Sequence, residues 1–326
     1  MSRIGVTLAS LPALGVTYAP ELARTAQDLG YGSIWVAETT GAEAFSTLAT
    51  VGVAAPGMGL GTGVLALQLR TPLVVAMAGA TLQALNPDAD ILLGVGISSP
   101  VVTSRWHGVP YGDHPVARTR EYVTLVKELL TGETVTFKGD FYEVTKVRVG
   151  VRLGERRPKV IVAALNPKML QMAGEVADGV LLNYLPASHV PWSVEQIRKG
   201  GDARVYGYVH VGVCDRADGI DAARRDLWSY AVVDAYAKSF ERAGFADDVA
   251  EIRERQAAGD RDGAIAAVSD EFVDAIDIMG DSDHVAASVK AYLDAGVDEA
   301  VIMPMPWGPD RRAVVDDTIR AALRGV

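Results

Sequence analysis

The 326-residue chain is 49% apolar and 22% charged, a globular and not a disordered composition. Its net charge of -10 is spread without long blocks, which argues against the basic face that nucleic acid requires. A single cysteine, Cys214, excludes a disulfide framework and a cysteine metal site, and no apolar run reaches membrane-spanning length.

Met1 to Val6 passes directly into a strand pattern without a signal peptide, so a cytoplasmic protein is expected. Ile4 to Ala9 reads as the first strand. A helix follows, with Thr17 as its cap, Pro20 in its first turn, Leu22, Ala26 and Leu29 on one face, and Gly30 as its stop. Gly32 to Glu38 is a second strand that ends in a carboxylate, and residues 42–55 read as helix. The third strand, Leu60 to Leu67, carries Gly61 and Gly63 in its interior. Glycine weakens a strand, so the pair marks a bulge, the close approach of a ligand or backbone, or packing under a neighbouring helix. Thr71-Pro72 opens a helix with a capping hydroxyl and a first-turn proline, and Asn86-Pro87 breaks it.

Asp90 to Gly96 is the fourth strand, running into the loop Ile97-Ser98-Ser99-Pro100. A helix spans about 116–130. Thr134 to Val144 then reads as a small hairpin outside the alternation. Lys159 to Ala164 is the fifth strand, and Asn166-Pro167 starts the next helix. Asp178 to Asn183 and Val205 to Val211 are the sixth and seventh strands. Residues 222–279 show only helical patterns, too long for one crossover, and read as an insertion. A helix over 283–295, an eighth strand from Glu299 to Pro304 and a helix over 311–323 complete the chain. Eight strands alternating with helices predict a (β/α)8 barrel, taken as one domain over residues 1–326. A doubly wound open sheet is the alternative, but its glycine-rich fingerprint after the first strand is missing. A barrel places its site at the C-terminal strand ends.

Those strand ends resemble the bacterial luciferase-like monooxygenases, and within them the deazaflavin (coenzyme F420)-dependent oxidoreductases. The matching stretches are Leu29 to Glu38, Leu60 to Val64, Arg70-Thr71-Pro72, Leu93 to Gly96, Arg120-Glu121-Tyr122, Ala173 to Val180 and Tyr292 to Glu299. One departure is the turn Asn86 to Asp90, where relatives carry a glycine-rich turn with an arginine. The resemblance implies a non-prolyl cis peptide at Gly63-Val64, with Val64 and Leu65 pressed against the central ring of the cofactor. It also implies that Ala164, Leu165, Asn166 and Lys168 hold the cofactor phosphate. The bare residues allow both that reading and an Asn166-capped helix, since a helix N-terminus offers unpaired N–H groups.

Glu38 at the second strand end either meets the cofactor ring or moves a proton, or else caps the next helix. His107, in Trp106-His107-Gly108, is a candidate acid or base, or a structural loop histidine. Gly94, Gly96, Ile97 and Ser98 lie where backbone approaches the cofactor, or serve plain turn chemistry. Tyr184, Trp192 and Trp307 are candidates for the substrate pocket or for core packing, and Arg70, Arg105 and Lys168 for an anionic tail or for plain solvation. No metal site is expected, because His114, His189, His210 and His284 lack ligand spacing. The expected activity is hydride transfer between coenzyme F420 and a small organic substrate. An FMN-dependent monooxygenase and a non-catalytic cofactor-binding protein are the alternatives. The expected partners are a small-molecule substrate and a second copy of the chain, with no nucleic acid and no membrane.

Overall fold

The computed structural model describes residues 3–324; Met1 and Ser2, the start of the stretch read for a leader, lie outside them. Eight parallel strands close on themselves: β1 (Ile4–Thr7), β2 (Ser33–Val36), β3 (Gly59–Thr62) with its short continuation β4 (Leu65–Ala66), β5 (Ile91–Gly96), β8 (Lys159–Ala163), β9 (Gly179–Leu182), β10 (Arg204–Val213) and β12 (Glu299–Pro304). β12 pairs with β1, and β9 with β10, which seals the (β/α)8 barrel. The hairpin is β6 (Val135–Lys138) with β7 (Glu143–Val147).

The helices form the outer layer. They are α1 (Leu11–Leu14), α2 (Ala19–Leu29), α3 (Ala44–Ala54), α4 (Pro72–Leu85), α5 (Pro115–Leu129), α6 (Pro167–Val176), α7 (Val190–Arg198), α13 (Ser282–Asp294) and α14 (Arg311–Ala321). Between β10 and α13 lie α8 (Arg216–Ala231), α9 (Asp234–Phe240), α10 (Ala246–Ala257), α11 (Arg261–Ala266) and α12 (Asp270–Ile276). Among the described residues no helix is long and apolar enough to cross a membrane.

Local chemistry explains the boundaries. Gly30 ends α2 at φ 91°, a left-handed conformation that costs glycine little. Thr71 accepts from the Val74 N–H at the start of α4. Thr17 does not cap α2; it falls in a 3₁₀ turn, Val16–Tyr18, with Tyr18 at the cap position. Helical patterns alone across 222–279 miss one element. Asp277–Gly280 is β11, parallel to the upper end of β10. Four residues directly after a helix carry too little alternation to be told from another helical turn.

Alternation along the strands sorts the core into two layers. Ile4, Val6, Ile34, Leu60, Leu93 and Val160 face the helices. Trp35, Leu92, Ile161, Tyr206, Tyr208 and Val301 fill the barrel interior, with Trp35 edge-on to both tyrosines. A separate apolar cluster holds the insertion against the barrel mouth, and it includes Tyr184 and Trp307.

Candidate active site

The third strand breaks its register at the mouth. Gly61 pairs with Leu92 and Leu65 with Val95, so β3–β4 advances four residues where β5 advances three. The extra residue makes a bulge. Within it the Gly63-Val64 peptide is cis. Thr62 Oγ1 donates to the Gly94 carbonyl at 2.8 Å, and Tyr208 Oη donates to the Gly63 carbonyl at 3.0 Å. A Cβ on Gly63 would run into the Tyr208 hydroxyl, and one on Gly94 into the Thr62 carbonyl. At Gly96 a Cβ would lie 3.1 Å from Val64 Cγ2. The glycines therefore let the bulge seat against its neighbours. Val64 is half-buried and packs on the interior cluster, facing the mouth. Leu65 differs from expectation: it is fully buried in the helix-facing layer, because adjacent side chains of a strand point to opposite faces. Ile97 and Ser98 follow β5, half-buried, ahead of a π-helical turn at Val101–Trp106.

Glu38 and His107 come together on the adjoining rim. Arg70 Nε and Nη2 grip the two Glu38 oxygens at 2.8 and 2.7 Å, and the Ala44 N–H donates to Glu38 Oε2 at 3.0 Å. Arg70 also reaches Glu43 at 2.5 Å. Arg70 is thus committed to two carboxylates, not free for an anionic tail, and its guanidinium is pushed above its ordinary value, chiefly by the Glu38 hydrogen bonds. Glu43 caps α3 through the Phe45 and Ser46 N–H groups. His107 Nε2 sits 2.7 Å from the Thr39 carbonyl, so it carries the hydrogen and leaves Nδ1 as acceptor in the neutral ring. Trp106 is 58% exposed. A cleft of about 170 Å³ beside Arg70 is lined by Leu67, Gln68, Val109, Arg118 and Tyr142. A larger one, about 520 Å³, opens among Arg148, Arg152 and Arg157 before β8, at the opposite end from the strand termini where barrel sites are built.

Across the mouth, Ala164-Leu165-Asn166 joins β8 to α6. Asn166 does not cap α6 with its side chain. Its Nδ2 donates to the Ala235 carbonyl at 3.1 Å, and its Oδ1 accepts from Arg242 at 2.7 Å. Arg242 also reaches the Leu165 carbonyl at 3.3 Å and makes no ion pair among the described residues. Lys168 is exposed in the first turn of α6. The turn therefore collects two cations, neither with an ion pair among the described residues, beside a helix N-terminus. Arg242 lies in the insertion, 76 residues from Asn166 in sequence, and only the fold brings it here.

Of the three aromatic residues that allow either a pocket or core packing, Tyr184 and Trp307 pack in the core against the insertion, and Trp192 is stacked on His189 beneath Arg242. A buried group on β10 is assembled from residues too far apart in sequence for ligand spacing to reveal. His210 meets Asp277 and Asn183, with Asp226 and Tyr184 close by. Asp226 is pushed up to about 6 by burial first and Asp277 second.

The family profile described as luciferase-like monooxygenase matches residues 3–299. Rv3520c of Mycobacterium tuberculosis, provisionally assigned as a coenzyme F420-dependent oxidoreductase, is 30% identical over 315 residues, covering 86% of this chain and 89% of its own. The 5,10-methylenetetrahydromethanopterin reductase of Archaeoglobus fulgidus is 26% identical over 324 residues, covering 91% and 95%. Among solved structures, the coenzyme F420-dependent tetrahydromethanopterin reductase of Methanopyrus kandleri superposes with a TM-score of 0.78 at 25% identity, over 98% of this chain and 96% of that one. With nearly its whole length matched and its barrel shared, the chain belongs to the luciferase-like monooxygenase family.

Proposed function

We propose that this enzyme transfers a hydride between coenzyme F420 and a small organic substrate. The observation that carries the reading is the bulge of β3–β4, which turns Val64 into the mouth as a small apolar ledge backed by Gly94 and Gly96. Val64, backed by Gly94 and Gly96, would give a bound flat ring an apolar support. The coenzyme F420 dependence of the Methanopyrus reductase, and the provisional assignment of the Mycobacterium relative to the same cofactor, favour a deazaflavin as that ring.

The residues present fit the group. Lys168, Arg242 and the first turn of α6 offer donors and positive charge to its phosphate. When bound, coenzyme F420 supplies a carbon centre that gives or takes a hydride in two-electron steps. Tyr208 holds the Gly63 carbonyl and so fixes the ledge from within the barrel. Glu38, with both oxygens engaged, acts as a fixed acceptor that orients the rim. His107, anchored through Nε2 on Thr39, presents Nδ1 as the group that takes or gives the accompanying proton. We also infer a cytoplasmic homodimer. Val53 on α3 and Val74, Met77 and Leu85 on the neighbouring α4 leave large apolar side chains exposed on adjacent helices, which supports a subunit contact there.

The test is reconstitution with coenzyme F420 and a panel of alcohols, carbonyls and imines. The reading expects turnover that is indifferent to oxygen. Oxygen-consuming turnover with reduced FMN would make the enzyme a flavin monooxygenase, and tight binding without turnover on any substrate would make it a carrier.

A further inference from the structure

The second buried group at the mouth takes no part in the reading above. His210 shares its inward parity on β10 with Tyr206 and Tyr208, and stands one step nearer the rim than Tyr208. It is 1% exposed and Asp277 is 0% exposed. His210 Nε2 lies 2.9 Å from Asn183 Oδ1, and Nδ1 lies 2.9 Å from Asp277 Oδ1. Asn183 Oδ1 also accepts from the Tyr184 N–H at 2.9 Å, which identifies that atom as the oxygen. Nε2 therefore carries the hydrogen, and in a neutral ring the Nδ1 lone pair would face a carboxylate oxygen. Two lone pairs at that separation repel unless a proton or a cation lies between them.

A third donor converges on the same point. Asp226 reaches in from α8, and the ligand atoms of His210, Asp226 and Asp277 all lie within 4.8 Å of one another. Ligands around one zinc-sized ion lie up to about 4 Å apart, so the set needs to close by less than about 1 Å. Independently of that convergence, Asp277 Oδ2 is buried with no hydrogen-bond partner among the described residues. A buried carboxylate oxygen without a donor is costly and calls for a positive partner.

We propose that His210, Asp226 and Asp277 bind a divalent transition-metal ion of the zinc class. One neutral imidazole and two carboxylates around a doubly charged ion leave the buried site without net charge. A nitrogen ligand with two carboxylates suits zinc, manganese or iron(II) better than magnesium or calcium, which prefer all-oxygen shells. Asn183 Oδ1 holds the far side of the imidazole, and the Tyr184 hydroxyl donates to Asp226 Oδ2 at 2.8 Å, the supports that fix ligand orientation. The three ligands come from β10, α8 and β11, so the ion ties the insertion to the barrel.

The test uses the full-length chain, stripped with a chelator and dialysed, without cofactor. Zinc, manganese and magnesium chloride are titrated separately by calorimetry, and the melting temperature is followed at each concentration. The proposal expects one zinc ion per chain, a melting temperature that rises with zinc, and no response to magnesium at the same concentrations. Asp277→Asn and His210→Gln are each expected to abolish binding, and Tyr184→Phe to weaken it about 10-fold or more. Cys214→Ser and the exposed His284→Gln are expected to leave it unchanged. Should Asp277→Asn and His210→Gln fail to fold, visible absorption of the cobalt(II)-loaded wild type still reports whether a nitrogen and oxygen shell forms. Absence of stoichiometric zinc in the wild type, no cobalt spectrum, or zinc affinity unchanged in folded Asp277→Asn overturns the proposal.

Discussion

The floor and the mouth of this barrel bury charged groups in different ways. At the floor, Glu299 is 5% exposed and accepts from Ser33 Oγ at 2.5 Å and Arg204 Nη2 at 2.9 Å, while Trp35 Nε1 donates to the same Ser33 oxygen at 2.7 Å. One carboxylate meets one guanidinium, and the side chains close over each other. At the mouth, one side is bare backbone and glycine around Gly63 and Val64, and the other holds two carboxylates against a single imidazole. The floor balances itself; at the mouth the β10 side carries surplus carboxylate, while the Asn166 turn gathers Lys168 and Arg242. Changes at the floor should therefore move stability and spare binding, and changes at the mouth should do the reverse.

The contrast breaks most plainly at Gly63. Gly63→Val drives a side chain into the Tyr208 hydroxyl, and coenzyme F420 affinity is expected to fall at least ~100-fold, a loss of about 3 kcal/mol of binding. Fluorescence quenching on a variant with native circular dichroism checks this, and wild-type affinity would move the ring away from the ledge. At the floor, Ser33→Ala leaves Trp35 Nε1 without its acceptor and Glu299 without one donor. It is expected to cost about 2–3 kcal/mol in urea unfolding with cofactor affinity unchanged. Arg242→Ala, at the mouth, is expected to weaken cofactor binding about 10-fold, more at low than at high salt, with little change in stability.

The smallest effect belongs to pH. Burial raises the Glu299 carboxyl above its ordinary value, with Ser33 and Arg204 opposing. The native state then keeps a proton that the unfolded chain has released. The contribution to stability is full below the unfolded value and falls as pH rises through the window just above it. Glu299→Gln should flatten that slope in thermal melts taken across the window.

The strands and most helix ends were legible because each carries a short apolar run and a local stop or cap, as Gly30 and Thr71 do. β11 was not legible, since Asp277–Gly280 pairs with β10 through contacts distant in sequence. At the site, Gly63 and Gly94 stood out because two strands carried glycine where strands disfavour it. Arg242 and the His210 group left no local signal. Their partners lie 76 and 67 residues away, and spacing rules see only neighbours. Arg70 misled for the opposite reason: as a lone base after a strand it looked available, and Glu38 with Glu43 consumes it.

The central claim is that the mouth holds a deazaflavin by its ring and its phosphate. The direct measurement is a pair of titrations, coenzyme F420 and FMN, by fluorescence quenching against wild type and Lys168→Glu at two salt concentrations. Tighter binding of coenzyme F420 than of FMN, with Lys168→Glu weakening both about 10-fold and more strongly at low salt, is the expected result. Tighter binding of FMN, with Lys168→Glu changing nothing, would contradict both the cofactor and the placement of its phosphate.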